Sequence, residues 1–79
     1  MKKQMTLPSL RPEMKKAVLC AWLKEEGESF KAGDVIYEIE TDKVVNQIEA
    51  DEDGVVSKLF AEEGDEVDVG STVAEYEAK

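Results

Sequence analysis

The sequence contains no histidine, one cysteine and few aromatic residues. Without histidine, no imidazole is present to complete a Ser-His or Cys-His nucleophile or a histidine-ligated zinc site. The single thiol, Cys20, cannot form an internal disulfide and is interpreted as a small strand side chain. No apolar run approaches the roughly 20 residues of a spanning helix, and the initial segment MKKQMTLPSL lacks the apolar core of a secretory signal. Triad, zinc and membrane-spanning roles are therefore excluded.

Basic residues are also scarce. Ten Lys and Arg against nineteen Asp and Glu give a net charge of -9, which repels nucleic acid and anionic lipid surfaces. We expect no nucleic-acid partner and no membrane partner. A single domain of 79 residues buries only about 60% of the surface that its unfolded chain exposes, so a deep catalytic cleft is hard to accommodate. A non-catalytic carrier, binding module or structural domain is favoured.

An internal repeat decides the secondary structure. Residues 13–26, EMKKAVLCAWLKEE, are good helix formers and are followed by Gly27, which by themselves would predict a helix. However, residues 18–40 align with residues 55–77 at a constant offset of 37, which places glycine on glycine in two turns of each copy. The second copy has short apolar pieces separated by Gly-containing turns, a pattern typical of strands. Strand is therefore predicted in both copies.

The predicted fold is all-β, with two four-stranded antiparallel sheets packed as a flattened barrel or sandwich. The internal repeat relates the two halves by a pseudo-twofold axis. The halves are expected to pack together because neither could bury its apolar face alone. The predicted strands cover residues 5–9, 17–24, 28–31, 35–41, 44–50, 54–61, 65–68 and 72–77. The predicted core consists of Leu7, Val18, Trp22, Val35, Ile39, Ile48, Val55, Leu59, Val67 and Val73, and Phe60 is also expected to be buried.

One of the nine lysines has a distinctive position. The stretch EIETDKVVNQIEA, residues 38–50, contains two strand-like runs that meet at Asp42-Lys43. The second repeat copy begins where this hairpin ends, so its turn lies between the two copies. Lys43 is therefore predicted at an exposed hairpin tip, where its amine either carries a modification or only contacts water.

The sequence resembles the lipoyl domain of the dihydrolipoamide acyltransferase component of 2-oxo acid dehydrogenase complexes, in the biotinyl/lipoyl carrier superfamily. The resemblance implies the barrel-sandwich hybrid fold. The resemblance runs from Met5 to Glu77, giving one domain at 5–79 after an extension of residues 1–4. It rests on Met14 and on the segments PSL (8–10), WLKEEGE (22–28), AGDVIYEIETDKV (32–44), EADEDGVV (49–56) and EEGDEVDVGSTV (62–73). Three positions depart from the common pattern: Ala17, Val44 and Asp51.

The resemblance implies that Lys43 carries lipoate through an amide bond, as a swinging arm that moves acyl groups and reducing equivalents between active sites. It implies as partners a lipoate ligase or lipoyl transferase, a thiamine-diphosphate decarboxylase, the acyltransferase catalytic domain and a flavin-dependent dihydrolipoamide dehydrogenase. Glu40, Asp42 and Val44 are candidate recognition residues beside the arm. Pyruvate or acetoin is the favoured substrate of the complex. The expected location is the cytoplasm, or the mitochondrial matrix if a targeting segment has been removed.

Three other functions stay open. A biotin carrier of a carboxylase or decarboxylase resembles this fold and also uses a hairpin lysine, although methionines typically flank that lysine and Asp42 and Val44 stand here. The glycine-cleavage hydrogen carrier is lipoylated too but is typically longer. The remaining alternative is an interaction module without any modification, in which Lys43 is an ordinary exposed side chain and the acidic residues 51–53 form a solvated turn.

Overall fold

The computed structural model describes residues 1–79 and contains eight strands and no helix. The chain accordingly has no helix that is long and apolar enough to cross a membrane. The strands are β1 (Lys2–Thr6), β2 (Lys16–Trp22), β3 (Ser29–Phe30), β4 (Val35–Thr41), β5 (Val44–Glu49), β6 (Gly54–Leu59), β7 (Glu66–Asp68) and β8 (Thr72–Ala78).

The strands form two four-stranded antiparallel sheets, in the orders β1-β8-β6-β3 and β5-β4-β2-β7. This architecture confirms the predicted all-β sandwich. The segment with helix-forming composition becomes strand β2, which pairs with β4 on one side and β7 on the other. Tertiary pairing therefore overrides the local helix propensity.

The internal repeat is confirmed in the topology. A shift of 37 residues takes β2, β3 and β4 onto β6, β7 and β8, and β5 corresponds to β1 in the other sheet. Four glycines adopt the same left-handed backbone in both copies: φ is 90° at Gly27 and 97° at Gly64, and 92° at Gly33 and 90° at Gly70. These turns favour glycine because a Cβ is strained at such φ values.

The two copies are also connected by reciprocal hydrogen bonds. The amide of Gly27 donates to the carbonyl of Val56 at 2.8 Å, and its counterpart Gly64 donates to the carbonyl of Leu19 at 2.7 Å. A second reciprocal pair of hydrogen bonds lies at the ends of β2 and β6. The amide of Trp22 donates to Glu63 Oε2, and the amide of Leu59 donates to Glu26 Oε2. The acidic turns are therefore partly structural, because they satisfy backbone donors of the opposite copy.

The core is formed by apolar side chains from both sheets. The buried cluster contains Leu7, Met14, Ala17, Leu19, Phe30, Ile36, Tyr37, Ile39, Val56 and Val73. Three predicted core residues are fully buried (Leu7, Ile39 and Val73), and four more pack against the cluster while remaining partly exposed (Trp22, Ile48, Leu59 and Val67).

The prediction was wrong by one residue in three strands. Val18, Val35 and Val55 are only half-buried, whereas neighbours such as Leu19, Ile36 and Val56 are buried. Each of these strands contains a register shift typical of a β-bulge, located between Leu19 and Ala21, between Val35 and Tyr37, and between Val56 and Lys58. A bulge adds one residue to the strand, so side chains before and after it no longer follow a single alternation.

Two further predictions need correction. Phe60 is 49% exposed and lies under the Lys58 ammonium, 5.6 Å from its ring centroid, instead of in the core. The first strand begins at Lys2 instead of residue 5, and residues 2–4 pair with β8 instead of forming an extension. This strand was misplaced because KKQMT is an exposed edge strand without an apolar alternation. The other seven strands were predicted to within two residues at each end.

Candidate functional site

The hairpin between β4 and β5 has a two-residue turn. Thr41 pairs with Val44, and φ is 48° at Asp42 and 66° at Lys43. Positive φ at both central positions is what a type I′ turn requires, and such turns usually contain Asn-Gly or Gly-Gly. These two are the only non-glycine residues of the chain with positive φ. The lysine is thus fixed at the hairpin tip by a backbone conformation that lysine rarely adopts.

The side chain of Lys43 is exposed and makes no ion pair or side-chain hydrogen bond. Four other lysines are held in ion pairs: Lys2, Lys3, Lys16 and Lys24. Lys15, Lys31, Lys58 and Lys79 are exposed and have no ion pair either, but none of them lies at a turn position with positive φ. Lys43 therefore differs from the other free amines by its fixed position beyond the end of the sheet.

The loop between β1 and β2, which contains the PSL segment and Met14, makes an unpredicted contact with this turn. The Arg11 guanidinium, between β1 and β2, donates from Nη2 to Asp42 Oδ2 at 2.8 Å and to Thr41 Oγ1 at 3.1 Å. The loop is itself ordered, because Met14 is buried and its amide donates to the carbonyl of Arg11 at 3.1 Å. The sequence did not predict this contact. Thr41 and Asp42 lie 30 and 31 residues after Arg11, and polar residues at such a distance follow no pattern that would pair them.

The three predicted recognition residues have different environments. The Glu40 side chain is exposed and has no hydrogen-bond or ion-pair partner, whereas the Asp42 carboxylate is paired with Arg11. Val44 is 55% exposed, and the adjacent Val45, which was not predicted, is 53% exposed. β5 is an edge strand, and both valines are exposed at the start of this strand, directly after Lys43. Their role in recognition stays a prediction.

The thiol of Cys20 lies in the bulge of β2 and is not activated. Burial, with a smaller effect of the Glu40 and Glu38 carboxylates, raises its pKa above the ordinary value. A raised thiol pKa lowers the thiolate fraction at neutral pH, so the residue is a poor nucleophile and a poor redox centre. This agrees with its interpretation as a small strand side chain.

The acidic turn at residues 51–53 is not simply solvated. Glu52 accepts hydrogen bonds from Lys3 Nζ at 2.8 Å and from Tyr76 Oη at 2.7 Å, and these two bonds hold its pKa below the ordinary value. Asp53 accepts from the amide of Ala32 at 2.9 Å. The turn therefore connects β5 and β6 to β1 and β8, and its carboxylates have a structural role.

The chain matches a known protein family over most of its length. The family model Biotin_lipoyl, described as biotin-requiring enzyme, matches residues 3–76. The solution structure of the lipoyl domain of the 2-oxoglutarate dehydrogenase complex from Azotobacter vinelandii superposes with a TM-score of 0.76 at 32% identity, covering 92% of each chain. The chain belongs to this family as a lipoyl domain.

Other similar proteins are much longer than this lipoyl domain. The mitochondrial pyruvate dehydrogenase protein X component of Mus musculus is 44% identical over 69 residues, which is 86% of this chain and 14% of that protein. The dihydrolipoyllysine-residue acetyltransferase component of the pyruvate dehydrogenase complex of Rhizobium meliloti is 44% identical over 70 residues, or 87% of this chain and 16% of that protein. The lipoyl domain thus spans about one sixth of such relatives or less.

Proposed function

We propose that Lys43 is the attachment site of lipoate and that the domain moves acyl groups and reducing equivalents between the active sites of a 2-oxo acid dehydrogenase complex. One observation carries this proposal: a free, exposed amine is held at the tip of a tight hairpin in a chain that belongs to the lipoyl domains. The residues fit the group, since Nζ has no ion-pair partner to lose when an amide forms.

The chain contributes presentation of the arm. The turn is anchored by the β4–β5 ladder from Val35–Glu49 to Thr41–Val44, so the Cα of Lys43 has a fixed position while its side chain extends into solvent. Amide formation at Nζ removes the lysine charge. When bound, lipoate supplies a disulfide that accepts an acyl group and electrons.

The proposed partners follow from this role. A lipoate ligase or lipoyl transferase would modify Lys43, a thiamine-diphosphate decarboxylase would acylate the arm, an acyltransferase domain would remove the acyl group, and a flavin-dependent dihydrolipoamide dehydrogenase would reoxidise it. Asp42 and Val44 flank Lys43 in the chain, Glu40 is an exposed residue near the end of β4, and these three are the proposed recognition residues. We propose pyruvate as the substrate of the complex, because the mouse and Rhizobium meliloti proteins named above are components of pyruvate dehydrogenase complexes.

The experiment that tests this function is modification of the purified domain by a lipoate ligase with ATP and lipoate. The intact mass should increase by one lipoyl group, and peptide mapping should locate it on Lys43. Lys43→Arg should abolish the increase, while Lys15→Arg and Lys31→Arg, which change other exposed and unpaired lysines, should not.

Two results would reject the proposal. The first is a lipoyl group on Lys15 or Lys31, which would mean that exposure alone selects the lysine. The second is no modification by the ligase together with biotinylation of Lys43 by a biotin ligase, which would place the chain among the biotin carriers of the same family.

A further inference from the structure

Arg11 connects the β1–β2 loop to the lysine hairpin through a single nitrogen. Its Nη2 donates to the Thr41 hydroxyl at 3.1 Å and to the Asp42 carboxylate at 2.8 Å. Thr41 is 9% exposed and lies at the last position of β4, so this anchor is part of the packed structure. Arg11 thus joins the turn to the body of the domain at the residue before Lys43.

The backbone conformation of the turn is energetically costly, and a contact of this kind can offset the cost. Both Asp42 and Lys43 adopt a left-handed backbone, which is costly for residues with a Cβ, and neither position contains the glycine that usually relieves this cost. Asp42 tolerates this region better than most residues, but Lys43 has no side-chain contact that would favour it. A bond from Arg11 to the Asp42 side chain favours the left-handed conformation over alternatives in which that carboxylate points elsewhere.

We propose that Arg11 is a positioning residue for Lys43: by holding Thr41 and Asp42 it increases the fraction of domains whose turn presents the lysine in the geometry that a modifying enzyme accepts. This inference rests on the proposed lipoylation of Lys43. Arg11 also pairs with the Asp42 carboxylate, whereas the Glu40 carboxylate, two residues earlier in the chain, is exposed and has no ion-pair partner. A residue that raises the competent fraction changes the apparent affinity of the enzyme for the domain and leaves the rate of the bound complex unchanged.

The test compares Arg11→Met with a matched control, Lys3→Met. Both remove one cation from an ion pair of 2.8 Å, but the Lys3–Glu52 pair lies away from the hairpin. Arg11→Met also removes a longer contact of 3.9 Å between Arg11 and Glu13, within the β1–β2 loop. In the lipoate ligase reaction, Arg11→Met should raise KM for the domain about two- to fivefold with kcat unchanged, the range that an exposed ion pair supports. Lys3→Met should change neither constant. An unchanged KM in Arg11→Met would overturn the proposal.

A double-mutant cycle with Asp42→Asn separates positioning from direct contact with the ligase. Asparagine favours the left-handed region but cannot form the ion pair, so Arg11→Met should raise KM less than twofold in the Asp42→Asn background. An equal increase in both backgrounds would show that Arg11 binds the ligase itself, and the positioning role would be wrong.

A spectroscopic measurement tests the positioning role without any lipoate. The HN–Hα couplings of Asp42 and Lys43 in the unmodified domain should change in Arg11→Met and stay unchanged in Lys3→Met. If the ligase does not modify the wild-type domain, the proposed function fails, while these couplings still decide whether Arg11 holds the turn. Unchanged couplings in Arg11→Met would refute the inference even if Lys43 is lipoylated.

Discussion

Removing the hydroxyl of Tyr37 should stabilise the domain. Tyr37 is 1% exposed, its ring lies 5.1 Å from that of Trp22, and its Oη is buried with no hydrogen-bond partner among the protein atoms. A buried polar group without a partner costs roughly 1–3 kcal/mol relative to its hydrated state in the unfolded chain. The change Tyr37→Phe removes that cost and keeps the ring contacts, so the free energy of unfolding should rise by about 1–3 kcal/mol.

Urea unfolding followed by the fluorescence of Trp22, the only tryptophan, measures this change. For a domain of this size, 1 kcal/mol shifts Tm by about 4–8 °C, so thermal unfolding should resolve it as well. The matched control is Tyr76→Phe, because the Tyr76 hydroxyl donates to Glu52 at 2.7 Å and its removal should destabilise the fold. A destabilised Tyr37→Phe would refute the reasoning, and would indicate that the hydroxyl bonds a water in the adjacent cleft of about 300 Å³.

The same hydroxyl should affect stability in alkali. Burial raises the pKa of Tyr37 from 10.0 to about 12. Since the folded-state pKa exceeds the unfolded value, ionisation of Tyr37 does not affect stability below pH 10, and it lowers the stability as the pH rises from 10 towards 12 because the unfolded chain loses the proton first. Unfolding free energies measured across this interval should fall less steeply for Tyr37→Phe than for the wild type. Equal slopes would show that Tyr37 ionises as freely in the folded state as in the unfolded chain.

Two further predictions concern charges. Glu40→Gln should lower kcat/KM for reductive acylation of the lipoylated domain by the proposed thiamine-diphosphate decarboxylase, most clearly at low salt. Asp42→Asn should have a smaller effect because Arg11 already pairs with that carboxylate. Reoxidation by the dihydrolipoamide dehydrogenase is the control reaction, and equal losses in both reactions would remove Glu40 from the recognition surface. Glu52→Gln should make the free energy of unfolding fall less steeply in acid. The lowered pKa of Glu52 stabilises the fold above pH 4.5, and this stabilisation is lost as the pH falls below 4.5. Urea unfolding across the acid range checks this, and an unchanged slope would contradict it.

Repetition and turn chemistry made the fold predictable from the sequence. The turns containing Gly27 and Gly64 are specified by local sequence, and their constant offset of 37 residues shows that the two copies share one structure. The position of Lys43 followed from the same pattern, because the hairpin falls between the copies. These features are encoded locally: a left-handed turn favours glycine wherever it occurs, and alternating apolar residues between such turns favour strands.

Only the tertiary structure decided which side chains are buried and what holds the lysine turn. Bulges changed the inward-facing residues from Val18 and Val55 to their neighbours, and a bulge depends on pairing with a distant strand. The contact of Arg11 with Thr41 and Asp42 joins polar residues far apart in the chain, and polar residues leave no periodic pattern that could predict such a pair. Local sequence thus determined the turns and strands, whereas burial and the support of Lys43 depend on distances that exist only once the two sheets pack together.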